Sequence, residues 1–368
     1  MTAPTRLAIL GATGSIGRQA LDVVRAHPDL LRVTALSGRS RAEEVRALAG
    51  ELGVTRVATG GDDLRPLATA ADVDLVVMAT PGVAGLVPTL AALAAGKSVA
   101  LANKEVLVVG GHLVRRAGGT AGPRLRPVDS EHCALWQCLA GERLAEVRKV
   151  TLTASGGAFR DRPLADLASV TPEEALRHPT WRMGPKVTID SATLVNKGYE
   201  VVEAHWLYDL PYDRIAVVQH AQSIVHALVE FADGSVKAQL AAPDMRLPIQ
   251  YALLGERHLP SPAPALDLVA VGRLDFRVVE AGRYPCLEVV LETARTGDAG
   301  AMIGLSAADE VAVERFLAHD LAFNDFAGLL RRGAVEGSRL ARSREPELAE
   351  ILAVDAAVRA ALRVEVTA

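Results

Sequence analysis

Over residues 1–128 short apolar runs alternate with amphipathic stretches. Leu7–Leu10, Arg32–Leu36, Arg56–Thr59, Asp74–Ala79, Ser98–Ala102 and Leu125–Val128 read as strands. Segments between them, such as Ile16–Ala26 and Val83–Ala95, carry apolar positions at helical spacing. Strands and helices in strict turn require crossover connections, which are right-handed when the chain returns parallel. The pattern therefore predicts an α/β fold opening with a doubly wound, Rossmann-type parallel sheet. After about residue 129 the pattern changes. Val150–Ala154, Ile215–Gln219, Ile224–Phe231 and Ser235–Ala241 are strand-like, and Asp233-Gly234 is a hairpin turn between the last two. A long helix is predicted from about Ser191 to Tyr208, with Val195, Tyr199, Val202 and Trp206 as its buried stripe. This makes 129–254 a central α+β domain. Residues 255–284, with Pro260, Pro262 and Pro264 and little period, read as a linker. From 285 to 368 helical spacing predicts a C-terminal helical bundle, with helix starts at Ser306-Ala-Ala-Asp309 and after Ser343-Arg-Glu-Pro-Glu347.

Gly11-x-x-Gly14-x-x-Gly17 sits between the first strand and the first helix. Glycines there let backbone approach a pyrophosphate, and the helix N-terminus offers unpaired N–H donors and a positive dipole. After the second strand the chain reads Ser37-Gly38-Arg39-Ser40-Arg41, with no carboxylate to hold a ribose 2′-hydroxyl. Arginine at that place clamps a 2′-phosphate, so NADP(H) is expected over NAD(H); a solvated loop with ordinary surface arginines is the plain alternative.

Composition narrows the picture. The 368 residues suffice for two or three domains with buried cores, and 50% are hydrophobic, as in soluble globular proteins. A formal net charge of −4 leaves no electrostatic footprint for nucleic acid. No apolar run is long enough to cross a bilayer and Met1–Arg6 holds no signal-peptide core, so a cytoplasmic protein is expected. Cys133, Cys138 and Cys286 are too scattered for a disulfide framework or a metal finger and read as buried thiols. Lysines are scarce, yet Lys104, Lys186 and Lys197 all fall in polar motif blocks, which points to a use for a compact ammonium.

Those blocks carry the candidate chemistry. Asn103-Lys104-Glu105 and Asp129-Ser130-Glu131-His132 each follow a strand of the parallel sheet, where such folds bind ligands. In an extended segment Asp129 and Glu131 share one face and can converge on a cation; Asp129 as a plain helix cap explains the same residues. Downstream, Ser155-Gly156-Gly157 ends a strand with a hydroxyl and flexible amides. His178-Pro-Thr-Trp181-Arg182-Met-Gly184 is a candidate lid, and Ser191 a candidate cap or phosphate ligand. Asn196, Lys197 and Glu200 share one side of the predicted helix, where surface ion pairs are the plain reading. The rise from Asn196 to Glu200 is roughly 6 Å, which suits a small sugar phosphate. Hard carboxylates without His or Cys partners select Mg²⁺ or Mn²⁺.

In their order along the chain these blocks resemble the 1-deoxy-D-xylulose 5-phosphate reductoisomerase family. The blocks are Gly11–Gly17, Leu101-Ala-Asn-Lys-Glu105, Asp129-Ser-Glu-His132, Ser155-Gly-Gly157, His178–Gly184, Asp190–Glu200, Gln222-Ser223 through His226, Pro243-Asp-Met-Arg246 and Tyr284-Pro-Cys-Leu-Glu288. The resemblance implies NADPH- and metal-dependent rearrangement and reduction of a phosphorylated sugar by a homodimer. It also implies roles. Asp129, Glu131 and Glu200 ligate the metal. Ser155, His178, Ser191, Asn196 and Lys197 hold the substrate, chiefly its phosphate. Lys104, Ser130 and Glu131 meet the reacting end, while Thr13, Gly14, Ser15, Ile16, Gly38, Arg39, Ser40, Asn103, Glu105 and Gly184 line the NADPH site. Residues 1–128 are then the NADPH domain and 129–254 the catalytic, metal and dimerisation domain. Arg182, Tyr199 and Ala221 depart from the family's usual residues. Two other readings start from the same cofactor turn: a semialdehyde-type dehydrogenase, with Cys133 beside His132 as nucleophile, and an NADPH-sensing regulatory protein with no metal site.

Overall fold

The computed structural model describes residues 3–364. Their strands are β1 (Thr5–Leu10), β2 (Leu31–Gly38), β3 (Arg56–Thr59), β4 (Leu75–Met78), β5 (Ser98–Leu101), β6 (Leu125–Pro127), β7 (Val147–Ala154), β8 (Ile215–Gln219), β9 (Val225–Phe231), β10 (Val236–Leu240) and β11 (Arg277–Val278). By contacts the chain divides into two compact units. One takes residues up to Val106, Val114–Arg148 and His226–Val271; the other takes Leu107–Leu113, Lys149–Val225 and everything from Gly272. The division cuts the proline-rich linker between Val271 and Gly272, and the 226–240 hairpin falls with the first unit. Among the described residues no helix is long and apolar enough to cross a membrane.

The first unit is the predicted doubly wound sheet, in order β3-β2-β1-β4-β5-β6 with every neighbouring pair parallel. The chain runs outward from β1 to β3 and then returns to β4 on β1's other side. That reversal opens a crevice at the carboxyl end of β1, where the Gly11 turn lies. Leu-Val-Val-Met, residues 75–78, is buried without alternation, as a central strand covered on both faces must be. The Asp233-Gly234 hairpin forms as expected: Gly234 has φ +86° and the Ser235 N–H donates to Asp233 Oδ1 at 2.9 Å.

In the second unit β8 lies parallel to β7 and antiparallel to β11, a mixed sheet. Helices Pro285–Arg295, Ala299–Leu317, Phe326–Leu340 and Leu348–Val364 form the C-terminal bundle. The helix expected to start at Ser306 starts at Ala299, seven residues earlier, and Asp298 caps it by accepting the Ala301 N–H at 3.0 Å. Ser306 and Asp309 lie inside it, 2% and 0% exposed. Helical period alone cannot place a start when apolar residues continue through it.

The long helix expected over Ser191–Tyr208 is two helices, Pro185–Thr193 and Val195–Tyr208, broken at Leu194 with φ 58°. The second is not an amphipathic surface helix. Lys197, Glu200 and Glu203 are 3%, 1% and 1% exposed, while Trp206 of the expected stripe is only half-buried. Close packing encloses it: a Cβ on Gly198 would meet Val290 of helix Pro285–Arg295 at 2.8 Å.

Candidate active site

In the first unit the glycine turn has the form a pyrophosphate needs. A Cβ on Gly11 (φ +98°) would lie 2.5 Å from the Ala79 carbonyl oxygen, and one on Gly17 would lie 2.3 Å from the Gly11 oxygen. Glycine is therefore required at both positions, and β1, β4 and the first helix meet tightly. Gly14 caps helix Ser15–Ala26 with extended backbone and no side-chain bond, so no side chain caps the first N–H groups of this helix. Ser15 is exposed and Ile16 half-buried beside it. Gly38 is closed in, since a Cβ would meet Val45 Cγ2 at 2.6 Å and Thr13 Oγ1 at 3.0 Å. Arg39 and Ser40, just beyond, are exposed.

Asn103 braces two of the loops at this end of the sheet. Its amide donates to the Thr80 and Gly82 carbonyls and its Oδ1 accepts the Val106 N–H at 3.0 Å. Glu105 is 8% exposed on the helix that follows. Lys104 Nζ pairs closely with Asp129 Oδ2. Asp129 is at the same time the cap of helix Ser130–Leu139, its Oδ1 accepting the Glu131 and His132 N–H groups at 3.1 and 3.4 Å. Glu131 is thus in a first helical turn, not in extended chain as expected. Its carboxylate accepts the Ser130 hydroxyl and comes within 4.8 Å of Asp129's. The cap and the charge pair coexist, so the plain reading of Asp129 is true and incomplete.

In the second unit His178 organises a cluster of hydroxyl and backbone N–H groups. Its Nδ1 accepts the Thr180 and Trp181 N–H groups at 3.2 and 2.9 Å, folding the 178–184 segment back onto the ring. An Nδ1 that accepts carries no proton, so the neutral ring keeps its proton on Nε2. Nε2 lies 2.9 Å from Ser155 Oγ and 3.1 Å from Ser191 Oγ. Burial, helped by the nearby Arg160 charge, lowers the His178 pKa to about 4. The imidazole is a neutral donor at physiological pH. Behind it Gly157 (φ +68°) touches helix Pro185–Thr193, where a Cβ would meet the Ser191 oxygen at 2.4 Å. Ser191 caps nothing; the cap of its helix is Gly184, and Ser191 sits in the last turn.

Past the Leu194 break, Glu200 accepts the Asn196 amide at 2.6 Å on one oxygen and Lys197 Nζ on the other. With Lys197 and Glu200 almost wholly buried, the surface-ion-pair reading fails. Several contributors were not foreseen. Tyr284, first residue of the Tyr-Pro-Cys-Leu-Glu block, donates its hydroxyl to the Gly156 carbonyl at 2.9 Å. Arg160 donates to the Ser155 and Ala221 carbonyls at 3.3 and 3.2 Å. Gln222 clamps the linker through the Arg273 carbonyl and the Asp275 N–H at 2.6 and 2.8 Å. Lys186, one of the three lysines in the polar motif blocks, pairs with Asp190 and Asp309. Its i,i+4 spacing to Asp190 was the one available signal. Cys133 is 0% exposed and burial pushes its thiol up to about 12, which removes it as a nucleophile. All three cysteines are buried free thiols, as expected.

The sheet order and the uncapped glycine turn place the chain among the dinucleotide-binding proteins of doubly wound fold. Comparison with known proteins narrows the class. The model for 1-deoxy-D-xylulose 5-phosphate reductoisomerase matches residues 7–59 and 46–111, that for its C-terminal domain matches 125–208, and that for the DXP reductoisomerase C-terminal domain matches 240–361. The 1-deoxy-D-xylulose 5-phosphate reductoisomerase of Thermomicrobium roseum is 50% identical over 374 residues, covering 97% of this chain and 96% of its own. That of Geobacillus kaustophilus is 48% identical, covering 97% and 98%. A crystal structure of DOX-P reductoisomerase in complex with NADPH, fosmidomycin and magnesium superposes with a TM-score of 0.92 at 37% identity, covering 99% of this chain and 98% of that one. The Zymomonas mobilis enzyme in complex with NADPH gives 0.85 at 35%, covering 99% of both. The chain belongs to the 1-deoxy-D-xylulose 5-phosphate reductoisomerase family, as its motif blocks indicated.

Proposed function

We infer that this protein converts 1-deoxy-D-xylulose 5-phosphate to 2-C-methyl-D-erythritol 4-phosphate, using NADPH and a divalent metal, in non-mevalonate isoprenoid biosynthesis. The observation that carries this reading is the neutral His178 Nε2 donor set between two serine hydroxyls on glycine-backed chain, a site built for a phosphate. The cofactor fits: Gly11 and Gly17 leave no room for a side chain, and Gly14 leaves the helix N-terminus open. Thr13 to Ile16 take the pyrophosphate, Gly38, Arg39 and Ser40 the 2′-phosphate, and Asn103, Glu105 and Gly184 the remainder of the cofactor.

The metal is assigned to Asp129, Glu131 and Glu200. Asp129 and Glu200 each already hold an ammonium, from Lys104 and Lys197, so both positions accommodate positive charge. An all-carboxylate donor set suits Mg²⁺, the metal bound in a related structure, and Mn²⁺ equally. When bound, these groups supply hydride and a Lewis-acidic charge for developing oxyanions. The chain's own residues bind and orient. Ser155, His178, Ser191, Asn196 and Lys197 fix the phosphate, while Lys104, Ser130 and Glu131 direct the reacting oxygens. The segment carrying Trp181 and Arg182 closes over the substrate to exclude water. Residues 1–128 serve as the NADPH domain, 129–254 as the catalytic, metal and dimerisation domain, 255–284 as linker and 285–368 as the helical domain. The protein acts as a cytoplasmic homodimer.

The test is NADPH oxidation followed with deoxyxylulose phosphate, with and without chelator. Turnover that vanishes on chelation and returns with Mg²⁺ is expected. Turnover indifferent to chelation sinks the metal assignment, and NADPH binding without turnover favours the regulatory reading. Burial of Cys133 already disfavours the semialdehyde-type reading.

A further inference from the structure

Three of the five residues assigned to the phosphate in the proposed function lie on two consecutive helices, Ser191 on Pro185–Thr193 and Asn196 and Lys197 on Val195–Tyr208. Only Leu194 joins them, and it holds a left-handed φ of 58°. A non-glycine residue keeps such a backbone only where its surroundings over-determine it. Leu194 itself is gripped by apolar packing with Ala154, Tyr284 and Leu287.

A polar link spans the same break from both sides. Lys186, in the first turn of the first helix, places Nζ 2.5 Å from Asp190 Oδ2 and 2.8 Å from Asp309 Oδ2. Tyr199, on the second helix, donates its hydroxyl to that same Asp309 oxygen at 3.2 Å, and its ring centroid is 5.1 Å from Lys186 Nζ. Asp309 is 0% exposed on helix Ala299–Leu317. One buried carboxylate thus receives a donor from each of the two site-bearing helices. Asp190 is the neighbour of Ser191, and Tyr199 the neighbour of Glu200. None of the four groups in this link is among the substrate or metal ligands assigned above.

We propose that Lys186, with Asp309 and Tyr199, is a positioning device that sets the angle between these helices and so holds Ser191 and the Asn196–Lys197 end on one phosphate. The device acts through the ligands and touches no substrate. A loss of alignment of an ångström or less is enough to weaken a multidentate anion site. The inference rests on the reductoisomerase reading, and wild-type turnover of deoxyxylulose phosphate is therefore measured first; its absence would count against that reading and not against the link.

Lys186→Met keeps the side-chain stem and removes the ammonium. Because it leaves two buried carboxylates facing each other, Lys186→Met/Asp309→Asn and Tyr199→Phe are measured beside it, each checked for wild-type circular dichroism. KM for deoxyxylulose phosphate is expected to rise about tenfold or more in both Lys186 variants and less in Tyr199→Phe, while KM for NADPH stays within about twofold. A merely structural link would lower active enzyme and leave both KM values alone. Folded Lys186 variants with wild-type KM for the sugar phosphate, or with both KM values rising together, overturn the proposal.

Discussion

His178 and Glu200 show how much a residue's role depends on a few atoms around it. Histidine in isolation is a switch near neutral pH, yet two backbone N–H groups on Nδ1 and burial keep this one neutral and fix which nitrogen donates. Glu200 reads in sequence as half of an i,i+3 surface pair with Lys197, worth a few tenths of a kcal/mol. Enclosed as it is, it becomes a desolvated charge that demands cations. Glu200→Gln keeps the shape and the Asn196 contact but removes that charge. Turnover should fall by a factor of about a thousand or more, the scale of losing a charged group that acts in the transition state, with NADPH affinity nearly unchanged. Steady-state kinetics beside a fluorescence titration of NADPH checks both halves; near-normal kcat would refute the metal role.

Among elements, the break at Leu194 matters most. Periodicity alone joins its two flanking helices because Val195, Tyr199 and Val202 continue the apolar rhythm. The backbone instead turns left-handed, and Ser191 is carried to the end of one helix and Asn196 to the start of the next. Leu194 is 2% exposed, so Leu194→Ala should cost about 2–5 kcal/mol through the cavity it leaves. Leu194→Gly removes one carbon more but relieves a left-handed strain of about 1–2 kcal/mol. In a helix interior glycine is worse than alanine by up to about 1 kcal/mol. Here urea unfolding should show glycine equal to or better than alanine, and the ordinary helical order would contradict the assigned conformation.

At the scale of the whole molecule, acid should loosen the fold earlier than carboxylates alone would allow. His178 has a folded pKa of about 4 against the ordinary 6.5, so the folded protein binds fewer protons there than the unfolded chain. Its contribution is therefore complete above about pH 6.5 and is lost as pH falls toward 4. Thermal midpoints across that window should drop more steeply for wild type than for His178→Gln; parallel curves would remove the assigned protonation state. The sequence by itself determined the doubly wound sheet, the glycine turn, the hairpin and the kinds of side chain available to a metal and a phosphate. Those features are carried by near neighbours: strand alternation, helical period, and backbone freedom at Gly11 and Gly234. Only the tertiary structure decided that the Lys197–Glu200 pair is buried, that Leu194 interrupts a helix, that His178 donates from Nε2, and that Lys186 serves Asp309. The His178 nitrogen is set by the nearby Thr180 and Trp181 N–H groups once the segment folds back on the ring. The other three depend on partners brought from elsewhere in the chain, as Asp309 is to Tyr199 across 110 positions, and burial by such a partner leaves no periodic mark in the sequence around it.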